Sequence, residues 1–171
     1  RNDVGSFLDF NESLAQKNIK FGYNDTMKIY QKLRGDKFTF NLKSYDFFIK
    51  GIENKYKKVI NDLKIKDSQK VLKILEYAGK IFELDESKIY FLNFYNENLK
   101  KKFKEQKSLD NNIILDKIKK KEIKSLLDSK YIVKYIYDLL KKGTSTREIN
   151  TLYFIAKKET LVAIYLFAIG C

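Results

Sequence analysis

The chain has 171 residues, 44% of them hydrophobic and 33% charged, with no Pro, no His, seven Gly and a formal net charge of +13. That apolar share excludes a disordered chain, and the shortage of Pro and Gly favours long helices over strands and turns. With Cys171 the lone cysteine and no histidine, an intrachain disulfide and a Ser-His-Asp triad are excluded and a zinc site nearly so; we expect no metal and no cofactor.

In chain order, the spacing predicts a first helix over 6–20 with Phe7, Leu8, Leu14 and Ile19 inward, then a turn at Phe21-Gly22-Tyr23-Asn24. Asn24 or Asp25 caps a second helix carrying Met27, Ile29, Tyr30 and Leu33, stopped by Gly35. Phe38, Phe40 and Leu42 alternate over 37–42, the one strand-like stretch, short enough to be an extended linker. Ser44 caps a long helix over 45–64, in which Gly51 costs about 1 kcal/mol against Ala. Ser68 opens a helix with Val71, Leu72, Leu75, Ala78, Ile81 and Phe82 inward. Asp85 opens the next, where Ile89, Tyr90, Leu92, Phe94, Tyr95 and Leu99 are apolar on nearly all sides. A loop at 108–112 precedes a helix through Ile114, Leu115, Ile118, Ile123, Leu126 and Leu127, and Ser129 opens another over 131–140, closed by Lys141-Lys142-Gly143. The fold class expected is all-α, a bundle of about seven to nine helices.

The last stretch, 144–171, opens on a capping box: Ser145 caps the following turn and Glu148 reaches back. Ile149, Leu152, Tyr153 and Ala156 recur at helical spacing, Lys157-Lys158-Glu159-Thr160 breaks the run, and every residue from Leu161 to Ile169 is apolar. A helix apolar all round is buried on all sides, so the chain reads as cut inside a larger fold. Partly uncovered, this helix would either associate with a second copy or pack against 131–140.

The net charge points to a polyanionic partner, nucleic acid before an anionic membrane surface. Only three of the 35 basic residues are arginine, and the abundance of Lys, Ile, Asn, Tyr and Phe is also what an AT-rich genome yields. Between Lys100 and Lys124 ten lysines stand against Glu105, Asp110, Asp116 and Glu122. We take Lys100, Lys101, Lys102, Lys104, Lys119, Lys120, Lys121 and Lys124 as candidate DNA contacts on one concave face, each replacing a counterion on the phosphate backbone without reading its sequence. The bland reading of the same run is a solvated face of two bundle helices. Tyr90 and Tyr95, in an apolar stretch, read as core rather than base-stacking platforms. Arg34-Gly35-Asp36 reads as a helix stop rather than an adhesion motif, and the sequons at Asn11 and Asn24 carry no weight without secretion. No residue pair is placed for acid–base catalysis. Neither a leader-like segment nor an apolar run long enough to span a bilayer is visible, which points to a cytoplasmic protein.

A short helix opened by Thr/Ser-x-x-Glu-Ile, a basic break and an apolar helix ending in Gly170-Cys171 resembles the start of the catalytic domain of tyrosine recombinases, the phage integrases and Xer-type enzymes. The resemblance covers 144–171, about a sixth of the chain, and rests on helix boundaries and apolar positions. It implies a helical DNA-binding domain over 1–142 and the opening helices of a truncated catalytic domain over 143–171, inactive alone. In that family the first catalytic arginine follows the Gly pair and the tyrosine nucleophile lies far downstream, so no catalytic residue is expected here. Two other readings compete. A helix-turn-helix would use 131–142 and 145–155 with 159–167 as recognition helix, but an all-apolar helix has no polar face for base edges. An all-α interaction or surface protein from an AT-rich genome would need no nucleic acid.

Overall fold

The computed structural model describes residues 11–41, 67–106, 128–143 and 145–171. The helices expected over 45–64 and 114–127, together with Phe7 and Leu8, lie outside these residues. What is described is mostly helical: α1 (Glu12–Ile29), α2 (Asp67–Ile81), α3 (Leu92–Glu105), α4 (Ser129–Lys141), α5 (Thr146–Ile155) and α6 (Lys157–Ala168), with two short strands, β1 (Thr39–Asn41) and β2 (Ile89–Phe91). Six helices among the described residues are fewer than the seven to nine expected.

One difference accounts for part of that. The turn expected at 21–24 is the middle of α1, which runs unbroken from its Asn11 cap. Gly22 is tolerated inside the helix, and the Asn24 amide, instead of bending the chain, is buried and donates to the Ser87 carbonyl at 3.1 Å. The helix ends at Tyr30, before Gly35, with Gln31 in the left-handed region at φ 56°. Ile19, expected inward, is 72% exposed, and Ile29 is 79% exposed.

Within the strand-like stretch expected over 37–42, Thr39–Asn41 form a strand, and its partner is a surprise. Thr39, Phe40 and Asn41 pair in parallel with Ile89, Tyr90 and Phe91, residues expected to be helical. A parallel pair requires a long crossover, so no local signal announces it. Tyr90 faces the core, with Phe40 at 6.2 Å and Tyr95 at 5.2 Å between ring centroids. The approach to β1 is tied to α2 by one carboxylate: Glu76 accepts the backbone N–H groups of Asp36, Lys37 and Phe38 at 2.7, 3.2 and 3.3 Å. Burial pushes the Glu76 carboxyl above its ordinary value, against these three donors, which pull it down.

The core is continuous from Phe38 and Phe40 through α2, α3 and α4 to α5 and α6. On α2, Val71, Leu75, Ala78 and Phe82 are buried as expected, with Ile74 beside them. The helix expected over 131–140 is α4, with Asp128 rather than Ser129 as its cap, and Ile132, Val133, Ile136 and Leu140 face inward. Ser145 caps α5 through the Glu148 N–H. The break before α6 falls at Ala156 (φ −132°, ψ 65°), not at 157–160; those four residues form the first turn of α6, where the buried Thr160 hydroxyl donates back to the Ala156 carbonyl at 2.8 Å.

α6 is the centre of the described bundle. Thr160 through Leu166 are all buried, covered by α4, α2 and α5. Described residues on both sides of 142–143 contribute to this core. Of the two outcomes expected for this helix, association with a second copy or packing against 131–140, the second is the one seen over Leu161–Leu166, which leaves these residues no free face with which to enter a groove as a recognition helix.

Candidate nucleic-acid interface

Leu99 and Phe103, four residues apart on α3, are buried, which turns the intervening lysines outward. Lys101, Lys102 and Lys104 are exposed and Lys100 is half-buried. Lys100, Lys101 and Lys104 line one shallow depression with Glu97 and Glu105, so their charge is partly offset. Lys102 stands closer to Glu83, where it assists Lys130, whose 2.8 Å hydrogen bond is the main reason the Glu83 carboxyl falls below its usual range. Lys119, Lys120, Lys121 and Lys124 lie outside the described residues.

Packing brings in two lysines that the sequence reading passed over. Lys134, Tyr137 and Lys141 stand at i, i+3 and i+7 on α4, one helical face, and that spacing was the available signal. Phe103 of α3 meets Tyr137 edge-on with centroids 4.7 Å apart. The Lys134 ammonium lies 4.5 Å from the Phe103 centroid, and the Lys141 ammonium 4.9 Å from that of Tyr137. Aromatic faces hold each cation in place by the ring quadrupole. Phe167 adds a third ring, 6.3 Å from Tyr137, and the Tyr137 hydroxyl donates to the Cys171 carbonyl.

The electrostatics of Cys171 report how these groups converge. Burial pushes its thiol above the ordinary value, while Lys100, Lys104, Lys141 and Lys134 all pull it down. Four ammonium groups from two helices thus act on a single place. Part of this is structural: Lys104 and Lys141 sit in the last turns of α3 and α4, where cations complement the helix dipole.

Tyr90 and Tyr95 are core residues, 2% and 0% exposed, so the stacking role is closed to them. The Tyr95 hydroxyl donates to the Leu75 carbonyl at 2.6 Å and that of Tyr90 to Asp85 at 2.9 Å. Of the Arg34-Gly35-Asp36 tripeptide, Asp36 donates its N–H to Glu76 and Arg34 pairs with Phe40. Gly35 has φ +115°, and a Cβ there would lie 2.2 Å from the Phe38 carbonyl oxygen. Among the described residues, no three His, Cys, Asp or Glu side chains gather as a metal site, and no helix is long and apolar enough to cross a membrane. No family model, curated protein or solved structure matches the chain.

Proposed function

We propose that the protein binds the phosphate backbone of duplex DNA through the lysines of α3 and α4. The observation that carries this reading is the packing of Phe103 on Tyr137, which seats Lys134 and Lys141 of α4 on the rings at the α3–α4 contact, α3 itself presenting Lys100 and Lys104 in one depression. The overall charge of +13 supports it. Such contacts are point charges without base information, so affinity falls with salt and varies little with sequence. The tyrosine recombinase reading belongs to the same proposal, with the Ser145-capped α5 and the apolar α6 supplying the helix pattern that motivates it. Arginine as the residue encoded after Cys171, followed by Arg-x-x-Glu, supports that finer reading; a stop codon ends it.

The test is a salt titration of binding to short labelled duplexes of unrelated sequence. Four phosphate contacts give a slope of about −3.6 in log affinity against log salt, from about −0.9 per contact. Changing Lys100, Lys104, Lys134 and Lys141 together to Gln should flatten it towards zero while helix content is kept. An unchanged slope sinks the assignment to this face. The competing interaction-protein reading is favoured by the apolar face of α1, where Ile19, Tyr23 and Tyr30 are 72%, 54% and 70% exposed.

A further inference from the structure

A second surface, distant in sequence from the lysines of α3 and α4, has a different chemistry. The end of α1, the turn that follows it and the open end of the β1–β2 pair enclose a cleft of about 660 Å³. That lies within the range of roughly 300–1,000 Å³ typical of small-ligand sites. Its apolar wall comes from Met27, Leu33 and Ile89, and two aromatic rings stand at its edge, Tyr23 from α1 and Phe91 from β2. Both rings are more than half exposed, at 54% and 58%. Exposed aromatic rings of this size are hard to explain as core, since Tyr90, next to Phe91, already fills the interior side of the strand.

The polar part of the lining selects the ligand. Lys32 and Arg34 supply two exposed cations, Gln31 and Asn41 supply two amides, and among the described residues no carboxylate lines the cleft. Neither cation is engaged in an ion pair. An aliphatic ligand would use the apolar wall but leave the aromatic edge and amides without purpose. A nucleotide uses all of them: a base has a π-face for Tyr23 or Phe91, hydrogen-bonding edges for side-chain amides, and a phosphate for the cations. The backbone also holds its shape here without help from the ligand. Gln31 is fixed at φ 56°, and the turn beyond it is locked by Arg34 and Phe40, which exchange two backbone hydrogen bonds of 2.9 and 2.8 Å.

We infer that this cleft is a binding site for an unpaired nucleotide of single-stranded nucleic acid, its base stacked on Phe91 and Tyr23 and its phosphate held by Arg34 and Lys32. Stacked bases and a basic track are what sequence-tolerant single-strand binding consists of. The inference uses none of the lysines assigned to duplex binding and stands or falls without them.

The experiment is fluorescence anisotropy of a labelled single-stranded oligothymidylate of about eight nucleotides, a length within the site sizes of single-strand binders. It is run on the full chain beside a labelled duplex. Phe91→Ala should weaken single-strand binding by roughly 5- to 150-fold, the range for losing one stacked base, and leave duplex binding unchanged. Phe91→Tyr should restore it, whereas Phe91→Leu, which keeps apolar bulk without a π-face, should not. Arg34→Gln should reduce the salt slope by about 0.7, the single-strand value per phosphate. Because Phe91 and Arg34 are exposed, these variants keep the fold, which circular dichroism checks. Absence of single-strand binding by the wild type, full rescue by Phe91→Leu, or equal loss on the duplex would each overturn the inference. The Leu rescue would mark the cleft as a site for apolar or peptide ligands instead.

Discussion

Phe38 packs the tip of its ring onto Gly79 of α2 so closely that a methyl group there would lie 2.7 Å from both Cε2 and Cζ. Phe38 is 1% exposed and has nowhere to retreat. Gly79→Ala should therefore lose more from overpacking, about 1–3 kcal/mol, than the ~1 kcal/mol it gains in helix propensity. Gly22 of α1 has no atom within 4 Å of such a methyl, so Gly22→Ala should stabilise by about 0.5–1 kcal/mol. Urea midpoints for the two variants should move in opposite directions, and a stabilising Gly79→Ala would refute the contact.

Glu76 is the acceptor for three consecutive backbone donors. Glu76→Ala leaves them without it, at about 1–3 kcal/mol for each donor that water cannot reach. Glu76→Gln keeps one acceptor oxygen but turns an NH₂ towards the same donors, so its loss should be intermediate. In hydrogen exchange, the amides of Asp36, Lys37 and Phe38 should lose protection in the Ala variant first. Unchanged protection there would show that the clamp does not hold the approach to β1.

Alkali should unfold the protein before its buried tyrosines ionise. Burial raises the Tyr90 phenol from 10.0 to about 12 and pushes Tyr95 and Tyr165 well above the ordinary value. The unfolded chain releases these protons near pH 10 while the folded chain keeps them, so the unfolded state binds fewer protons and stability falls as pH rises. The contribution is complete below pH ~10, and each such group then steepens the loss by up to about 1.4 kcal/mol per pH unit. The tyrosinate absorbance of Tyr90, Tyr95 and Tyr165 should appear together with the loss of helical circular dichroism. A single step near pH 10 with the fold intact would contradict the burial.

Leu161 is fully buried on α6 beneath three other helices. Leu161→Ala should cost about 2–5 kcal/mol, from the lost transfer energy and the cavity left behind. Phe154 on α5 is 83% exposed, and Phe154→Ala should lie within about 0.5 kcal/mol of the wild type. Denaturant midpoints that rank these two variants in the reverse order would overturn the placement of α6.

Where periodicity and capping act within a few residues, the fold was legible. Ser145 caps the helix that follows it, and the inward positions of α2 follow the helical period; the helix expected to open at Ser129 starts there, with Asp128 as its cap. Long-range partners explain the failures. Gly22-Tyr23-Asn24 has turn composition, yet Asn24 finds its hydrogen bond on Ser87, 63 positions away. Ile89–Phe91 continues an apolar run and was read as helix, but Thr39–Asn41 claims its backbone as a strand. The lysine clusters show the same limit. Lys100, Lys101, Lys102 and Lys104 stand out as a run in the sequence, whereas Lys134 and Lys141 join Lys100 and Lys104 only because Phe103 packs on Tyr137.

The central position of α6 also sets a schedule. Synthesis delivers α1 to α5 before the helix that α2, α4 and α5 surround. Until Lys157–Ala168 has left the ribosome, Ile136, Leu140 and their neighbours have no permanent partner. The apolar faces of the earlier helices are then open to one another and to chaperones. The nascent chain should therefore stay protease-sensitive until α6 emerges and become resistant in one step once this helix is free to be enclosed.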